Sequence, residues 1–361
     1  MKSISLYRLN AILLLLILTT IILYYGKELL VPLVFAILLS MLLLPVCRKL
    51  EKWGMSRVGS TLTGVLIIVL FVAGLVAIIA AQGVSLAEDM PQMQAKAQQL
   101  IQNVQEWIQS RYGIAPQEQQ SYVQKGVDKM SQSGGSFFGK FFSGFMGLLT
   151  GFVLVLLYFF FLMWKREKYK QFILKLVEKE NRVEVSRELD KISQVAGMYL
   201  IGRLISMAFL AMVYMIGFSI VGLPNGILIA LVAVIPTIIP YVGAFVGAFF
   251  PLAMALVGGS SEMVLPIAGI LIAAQIIDNN IIEPLVEGES LDISPIFTIV
   301  SIVVGELLWG IAGMILFMPM FAIVKIICDH IPVLHPYSFL LENDVDDPIW
   351  LEKVKGWFGK K

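Results

Sequence analysis

Uninterrupted apolar runs of membrane-crossing length recur along the chain, at 9–25, 29–47, 60–81, 145–164 and 197–221, and they restrict its fold more than any motif does. About twenty apolar residues wound into a helix span the hydrocarbon core of a bilayer. Inside lipid, a helix satisfies its own backbone amides and carbonyls. With 58% of residues hydrophobic, 15% charged and a mean hydropathy of +0.84, the chain carries more apolar surface than a soluble domain hides in its core. The fold class is therefore all-α, a polytopic integral membrane protein. A net charge of +1 leaves no dense basic stripe for phosphates, so nucleic acid is not a partner. Cys47 and Cys328 each close an apolar run and cannot make a disulfide framework.

Charge between the runs orients the first half. Lys2 and Arg8 precede the first run, but Tyr24, Tyr25 and Gly26 offer no small-residue cleavage site, so it reads as a retained helix and not a signal. Pro32 falls in the first turn of the second run, where a missing amide costs least. Arg48, Lys49, Lys52 and Arg57 then form a short basic loop, which belongs in the cytoplasm, and the N-terminus belongs there with it. The run 60–81 leads outward to a Gln-rich region, 82–144. There Leu86, Met90, Met93, Ala97, Leu100, Val104 and Ile108 recur at steps of three and four, the mark of one apolar stripe on an extramembrane helical hairpin. Residues 134–140 match the first seven positions of a phosphate-binding loop. Phe141 stands where magnesium needs a hydroxyl, however, and a membrane span follows, so ATP is not a ligand. The fourth run carries Gly147 and Gly151 at a spacing that lets helix backbones approach. It ends in Lys165, Arg166, Lys168 and Lys170, back in the cytoplasm. Residues 171–195 read as a solvated linker helix with Ile173, Leu176, Val177, Leu189 and Ile192 inward.

The second half is different in kind. Between Arg203 and Lys325 there is no Lys or Arg, yet Glu262, Asp278, Glu283, Glu287, Glu289, Asp292 and Glu306 fall in the interval. Arg203 either snorkels to the headgroups or pairs with one of these later acids. The apolar run to residue 256 is too long for one crossing and holds Pro236 and Pro240, so it predicts a broken helix, or two half-helices meeting near Tyr241. Gly243 and Gly247 give its second half a smooth packing face. The run 296–327 holds Glu306, Gly310 and Gly313, and Pro319 predicts a break there as well. A loose likeness between 226–230 and 310–314 suggests paired hairpins. The organisation that follows is N-terminal spans at 1–81, an outer region at 82–144, a fourth span and linker at 145–196, a transport region at 197–328 and a tail at 329–361.

Certain residues carry a resemblance. Pro240, Tyr241, Val242 and Gly243, then Glu283 and Pro284, then Leu291 to Pro295, then the stretch from Gly305 through Trp309, Gly310 and Gly313 with Pro319, are similar to the signature series of the autoinducer-2 exporter family of bacterial permeases, the PerM-like transporters. The first half resembles that family in its pattern of spans. The resemblance implies a multi-pass transporter of the bacterial inner membrane with about eight hydrophobic segments, the interrupted runs above standing as broken or re-entrant helices. It further implies a homopentamer in which a mobile transport region moves against a scaffold. Family members are associated with export of autoinducer-2, a small polar diol, and some with exchange of sodium or lithium for protons.

The polar residues of the second half suggest how a solute is handled. Gln275, Asn279 and Glu283 step by four, and Asp278 follows Gln275 by three, which puts all of them on one helix face. An acid at the bilayer centre costs roughly 2.5–3.5 kcal/mol, so this face does not meet lipid. Such a face lines an aqueous path, binds a cation or accepts protons; alternatively, its groups only tie helices together by hydrogen bonds. On the first reading Asp278 and Glu283 take the coupling proton or sodium, while Gln275, Asn279 and Asn280 bond the solute or orient the acids. The pathway runs along 236–243 and 275–284, Pro284 included, and past Glu306, with Tyr241 and Trp309 as stacking surfaces. No His-Glu-x-x-His motif is present, and His330 and His335 follow the last span without zinc-site spacing, so no enzyme, metal or cofactor is expected. In the tail Trp350, Leu351, Val354, Trp357 and Phe358, with nearby lysines, suit the cytoplasmic lipid surface. The reading is a gradient-driven exporter of a small polar solute. A sodium or lithium/proton antiporter and a non-transporting membrane scaffold are the alternatives.

Overall fold

The structure is a computed structural model and describes residues 6–112, 151–258, 260–286, 293–331 and 333–343. Among these residues the fold is helical throughout, and the strand-like contact it records is an isolated bridge between Ile293 and Glu342. The helices are α1 Leu6–Tyr25, α2 Lys27–Lys52, α3 Arg57–Tyr112, α4 Gly151–Trp164, α5 Arg166–Leu176, α6 Arg182–Val221, α7 Gly226–Val234, α8 Val242–Val257, α9 Ser261–Ile277, α10 Glu283–Val286, α11 Pro295–Trp309, α12 Ile311–His330 and α13 His335–Leu341. Among the described residues, five helical stretches are long and apolar enough to cross a membrane: α2, the Arg57–Ile78 part of α3, and the stretches Lys179–Val221, Ser261–Val286 and Ile311–His330. Their side chains are mostly not covered by protein. In α1 every residue from Ile12 to Leu18 is exposed, a surface that only lipid or another subunit can keep from water.

The described chain forms two compact units. One comprises residues up to 68, 151–205 and 282 onward. In it, Ala36, Leu43 and Cys47 of α2 pack with Ile68 of α3 and Val155, Phe159 and Met163 of α4. A second core joins Leu38 of α2 and Ala196 of α6 to Trp309, Leu316 and Phe317. The other unit comprises, among the described residues, 69–112 and 206–281. Its core stacks Leu210, Tyr214 and Phe218 of α6 on the almost wholly buried α7, with Met254 of α8 and Ile267 and Leu271 of α9. Gly217 lets α6 approach α9 here, since a Cβ at that position would press on Ile270 at 2.8 Å.

Several boundaries differ from the sequence reading. Helix α3 does not end near residue 81 but continues to Tyr112, 56 residues or about 84 Å. The change from apolar to Gln-rich sequence ends the membrane-length apolar stretch but not the helix, because Ala, Gln, Leu and Glu all favour helix. Helix α2 starts at Lys27, so Pro32 lies inside it and not in its first turn; Pro45 is internal too. The linker is not one helix: it breaks at Val177, where the chain extends, before a short 3₁₀ turn at Lys179–Asn181 and the 40-residue α6. Of its expected inward positions Ile192 is buried, but Ile173 and Leu176 face outward. The last long run breaks at Gly310 (φ 63°), and Pro319 sits buried within α12. The phosphate-loop-like stretch 134–141, Gly147 and the tail beyond 343 lie outside the described residues.

Candidate functional site

In the second unit the break after α7 has a local chemical cause. Pro236 has no amide to donate, and the helix tightens into a 3₁₀ turn at Ile235–Ile238. Thr237 Oγ1 donates to the Val234 carbonyl at 2.6 Å, and the Ile239 amide to the Pro236 carbonyl at 3.0 Å. Pro240 then forces a sharper device. The Val242 amide donates to the Pro240 carbonyl at 2.6 Å across Tyr241, whose φ of 60° and ψ of −57° make a γ-turn of the rare, strained hand. A non-glycine residue held there costs about 1–3 kcal/mol. The Tyr241 ring is exposed at the tip. Two glycines then allow α8 to return along α7. A Cβ on Gly243 would collide with the Pro236 carbonyl, and one on Gly247 with the Ala233 carbonyl.

The polar end of α9 lies in the same unit, and there the helix widens into a π turn over Asp278–Ile282. Such wide turns insert a residue and redirect the side chains that follow. Asp278 is only 1% exposed, and Ser206 Oγ, equally buried, stands 2.7 Å from each carboxylate oxygen, its hydroxyl donating. Gln275 Nε2 donates to Asn279 Oδ1 at 2.7 Å, and Asn280 Nδ2 to the Ile276 carbonyl at 2.8 Å. Both asparagines are exposed. The single polar face expected from spacing is thus divided. Asp278 shares the inward side with Leu271 and Ala274, while Asn279 and Asn280 point away.

In the first unit Glu283, which opens α10, accepts a hydrogen bond from Arg203 Nη1 at 3.0 Å. Arg203 is 8% exposed, so it does not snorkel; it is paired with an acid from the later sequence. Pro284 is half-buried beside Glu283. Glu306 is exposed on α11. Trp309 is no open stacking surface: its indole Nε1 donates to the Leu23 carbonyl at 2.8 Å and its ring meets Phe317 edge-on at 5.1 Å. The α11–α12 hairpin closes on Gly305 and Gly313, where a Cβ on either would collide with the carbonyl of the other. Gly310 makes the turn, and a Cβ added there or on Gly151 would meet open space. No group of three or more His, Cys, Asp or Glu side chains able to hold a metal occurs among the described residues.

Ser206 and Lys325, the latter buried at 8% in α12, are among the buried polar side chains that spacing did not single out. Ser206 carried a faint signal, being a hydroxyl within an apolar run three residues after Arg203.

Membrane-length apolar helices, two glycine-packed hairpins and a buried carboxylate make up a polytopic α-helical membrane protein. The chain belongs to the AI-2E transporter family, whose family model, described as AI-2E family transporter, matches residues 13–333. It is 27% identical over 320 residues to YrrI of Bacillus subtilis (strain 168), which is named as a candidate transport protein, covering 84% of this chain and 87% of YrrI. The same bacterium's YueF, named likewise, is 27% identical over 315 residues, 81% of this chain and 82% of that one. PerM of Escherichia coli (strain K12), named as a candidate permease, is 28% identical over 335 residues, 87% of this chain and 91% of PerM.

Proposed function

We propose that this membrane transporter is a gradient-driven exporter of a small polar solute of the autoinducer-2 kind, with Asp278 as the group that takes up the coupling proton or cation. The observation that carries this reading is the burial of Asp278 in an apolar helix, with the Ser206 hydroxyl astride its carboxylate. A charge in that position is retained at a cost of roughly 2.5–3.5 kcal/mol, which a merely structural residue does not require. Protonation or a bound cation removes that cost, and the π turn that follows gives the helix a second way to arrange its hydrogen bonds. Gln275, Asn279 and Asn280 are then the solute's hydrogen-bonding partners, and Tyr241 at the hairpin tip is a stacking surface. Glu283 is a poorer ion acceptor, because Arg203 already neutralises it. Family resemblance supports a homopentamer in a bacterial inner membrane.

Flux into vesicles holding the purified protein tests the reading. Asp278→Asn is expected to lower gradient-driven uptake about tenfold or more, and Ser206→Ala to lower it less, because the carboxylate itself stays in place. An unchanged rate in Asp278→Asn removes this acid from the mechanism. The family's association with sodium and lithium exchange supports a second reading, an antiporter. It predicts a sodium-dependent pH change in vesicles that contain no organic solute.

A further inference from the structure

Helix α5 carries an apolar stripe that no described residue covers. One side of this helix is pinned to protein. Arg166 donates to Glu51 through both terminal guanidinium nitrogens, at 2.9 and 2.5 Å, and Lys170 Nζ lies 2.7 Å from Asp190 Oδ2. Its hydrogen bonds to Glu51 hold the Arg166 guanidinium above its usual range, against burial, which acts the other way. The adjoining side holds Tyr169, Phe172, Ile173 and Leu176 at steps of three and four, all exposed, Phe172 at 61% and Leu176 at 72%. Beyond the stripe stand Lys168 and Lys175, seven residues apart and both exposed.

Two observations say what lies against it. The first is continuity: α5 follows the apolar α4 after one residue, Lys165, whose ammonium sits 3.8 Å above the Trp164 ring. A second Trp–Lys pair, Trp53 with Lys49 at 5.4 Å, ends α2 two residues from Glu51, so the Glu51–Arg166 bridge ties the start of α5 to that level. Tryptophan with lysine is the usual furniture of the boundary between hydrocarbon and headgroups. The second is charge. The row of lysines beside the stripe complements anionic headgroups, and an apolar face about 100° wide bordered by lysines is the pattern of a helix lying in the interface. We infer that α5 lies in the headgroup layer of an anionic leaflet, with Tyr169, Phe172, Ile173 and Leu176 below the headgroups and Lys168 and Lys175 on their phosphates. The ion pairs to Glu51 and Asp190 brace the side that adjoins the stripe.

The full chain, with Cys47→Ala and Cys328→Ala, receives a single NBD-labelled cysteine by Phe172→Cys, Leu176→Cys or, on the opposite side of α5, Gln171→Cys. It is reconstituted in phosphatidylcholine vesicles with and without phosphatidylglycerol, each carrying lipid with a doxyl group high on the acyl chain. The label at 172 or 176 is expected to be quenched at least about twofold more than at 171, more so with phosphatidylglycerol. Lys168→Gln combined with Lys175→Gln should abolish the phosphatidylglycerol dependence and leave the fold, read by thermal unfolding, intact. Equal quenching at 171 and 176 overturns the inference. So does shielding at 176 accompanied by cysteine cross-linking between chains, which would show that a second copy covers the stripe.

Discussion

Asp278 is the residue on which most depends, and its neighbours decide what it is able to do. The sequence singled it out as an acid within an apolar helix, yet grouped it with Gln275, Asn279 and Glu283. Spacing counted at 3.6 residues per turn fails where the helix widens, and no count along one segment reveals that Ser206, 72 residues away, comes within 2.7 Å. Arg203 and Glu283 present the complementary case. Removing one member of a buried ion pair leaves the other charge uncompensated, while replacing both by apolar residues often does little harm. Arg203→Met or Glu283→Gln alone is expected to destabilise the solubilised protein by about 3 kcal/mol, the low end for such pairs because the Glu283 side chain is partly exposed. Arg203→Met with Glu283→Met should recover most of that loss, and thermal unfolding of all three variants in detergent would measure the coupling.

Prolines and glycines, at the scale of the elements, behave according to their partners more than their identity. Pro32, Pro45, Pro251, Pro266 and Pro319 are all accommodated inside helices. The break falls where Pro236 and Pro240 lie four residues apart, since two missing amides so close together leave only short-range turn bonds to carry the backbone across. At Gly310 the break is made by a positive φ instead, a conformation glycine adopts without strain. That is why Pro319, which looked like a helix end in the sequence, is not one. The α7–α8 hairpin gives two opposed tests. Gly243→Ala places a methyl group against the Pro236 carbonyl, and about 1–3 kcal/mol of destabilisation is expected, with a lower melting temperature as the readout. Tyr241→Gly relieves the positive φ and should raise the melting temperature; lower solute flux in the same variant would show that the ring serves transport. The reciprocal contact of Gly305 with Gly313 predicts that Gly305→Leu opens the α11–α12 hairpin and costs more than Gly243→Ala, because two backbones must separate.

For the whole molecule, the exposed apolar residues of α1 and of α8, where Phe245 and Phe249 face outward, call for lipid and leave room for subunit contacts. If family resemblance holds for assembly, mass measurement in nanodiscs should return about five times the chain mass of 40.0 kDa. The membrane class, the helical fold, the family and the broken α7–α8 segment were legible from the sequence, because burying a backbone in lipid leaves a chain few alternatives and composition reports it directly. The length of α3, the division of the polar face, the pairing of Arg203, the enclosed indole of Trp309 and the bare stripe on α5 were decided only by tertiary structure. Each depends on which side chain arrives from a distant part of the chain, and a hydrogen bond or a steric contact is settled by distances in space that periodicity along one helix does not encode.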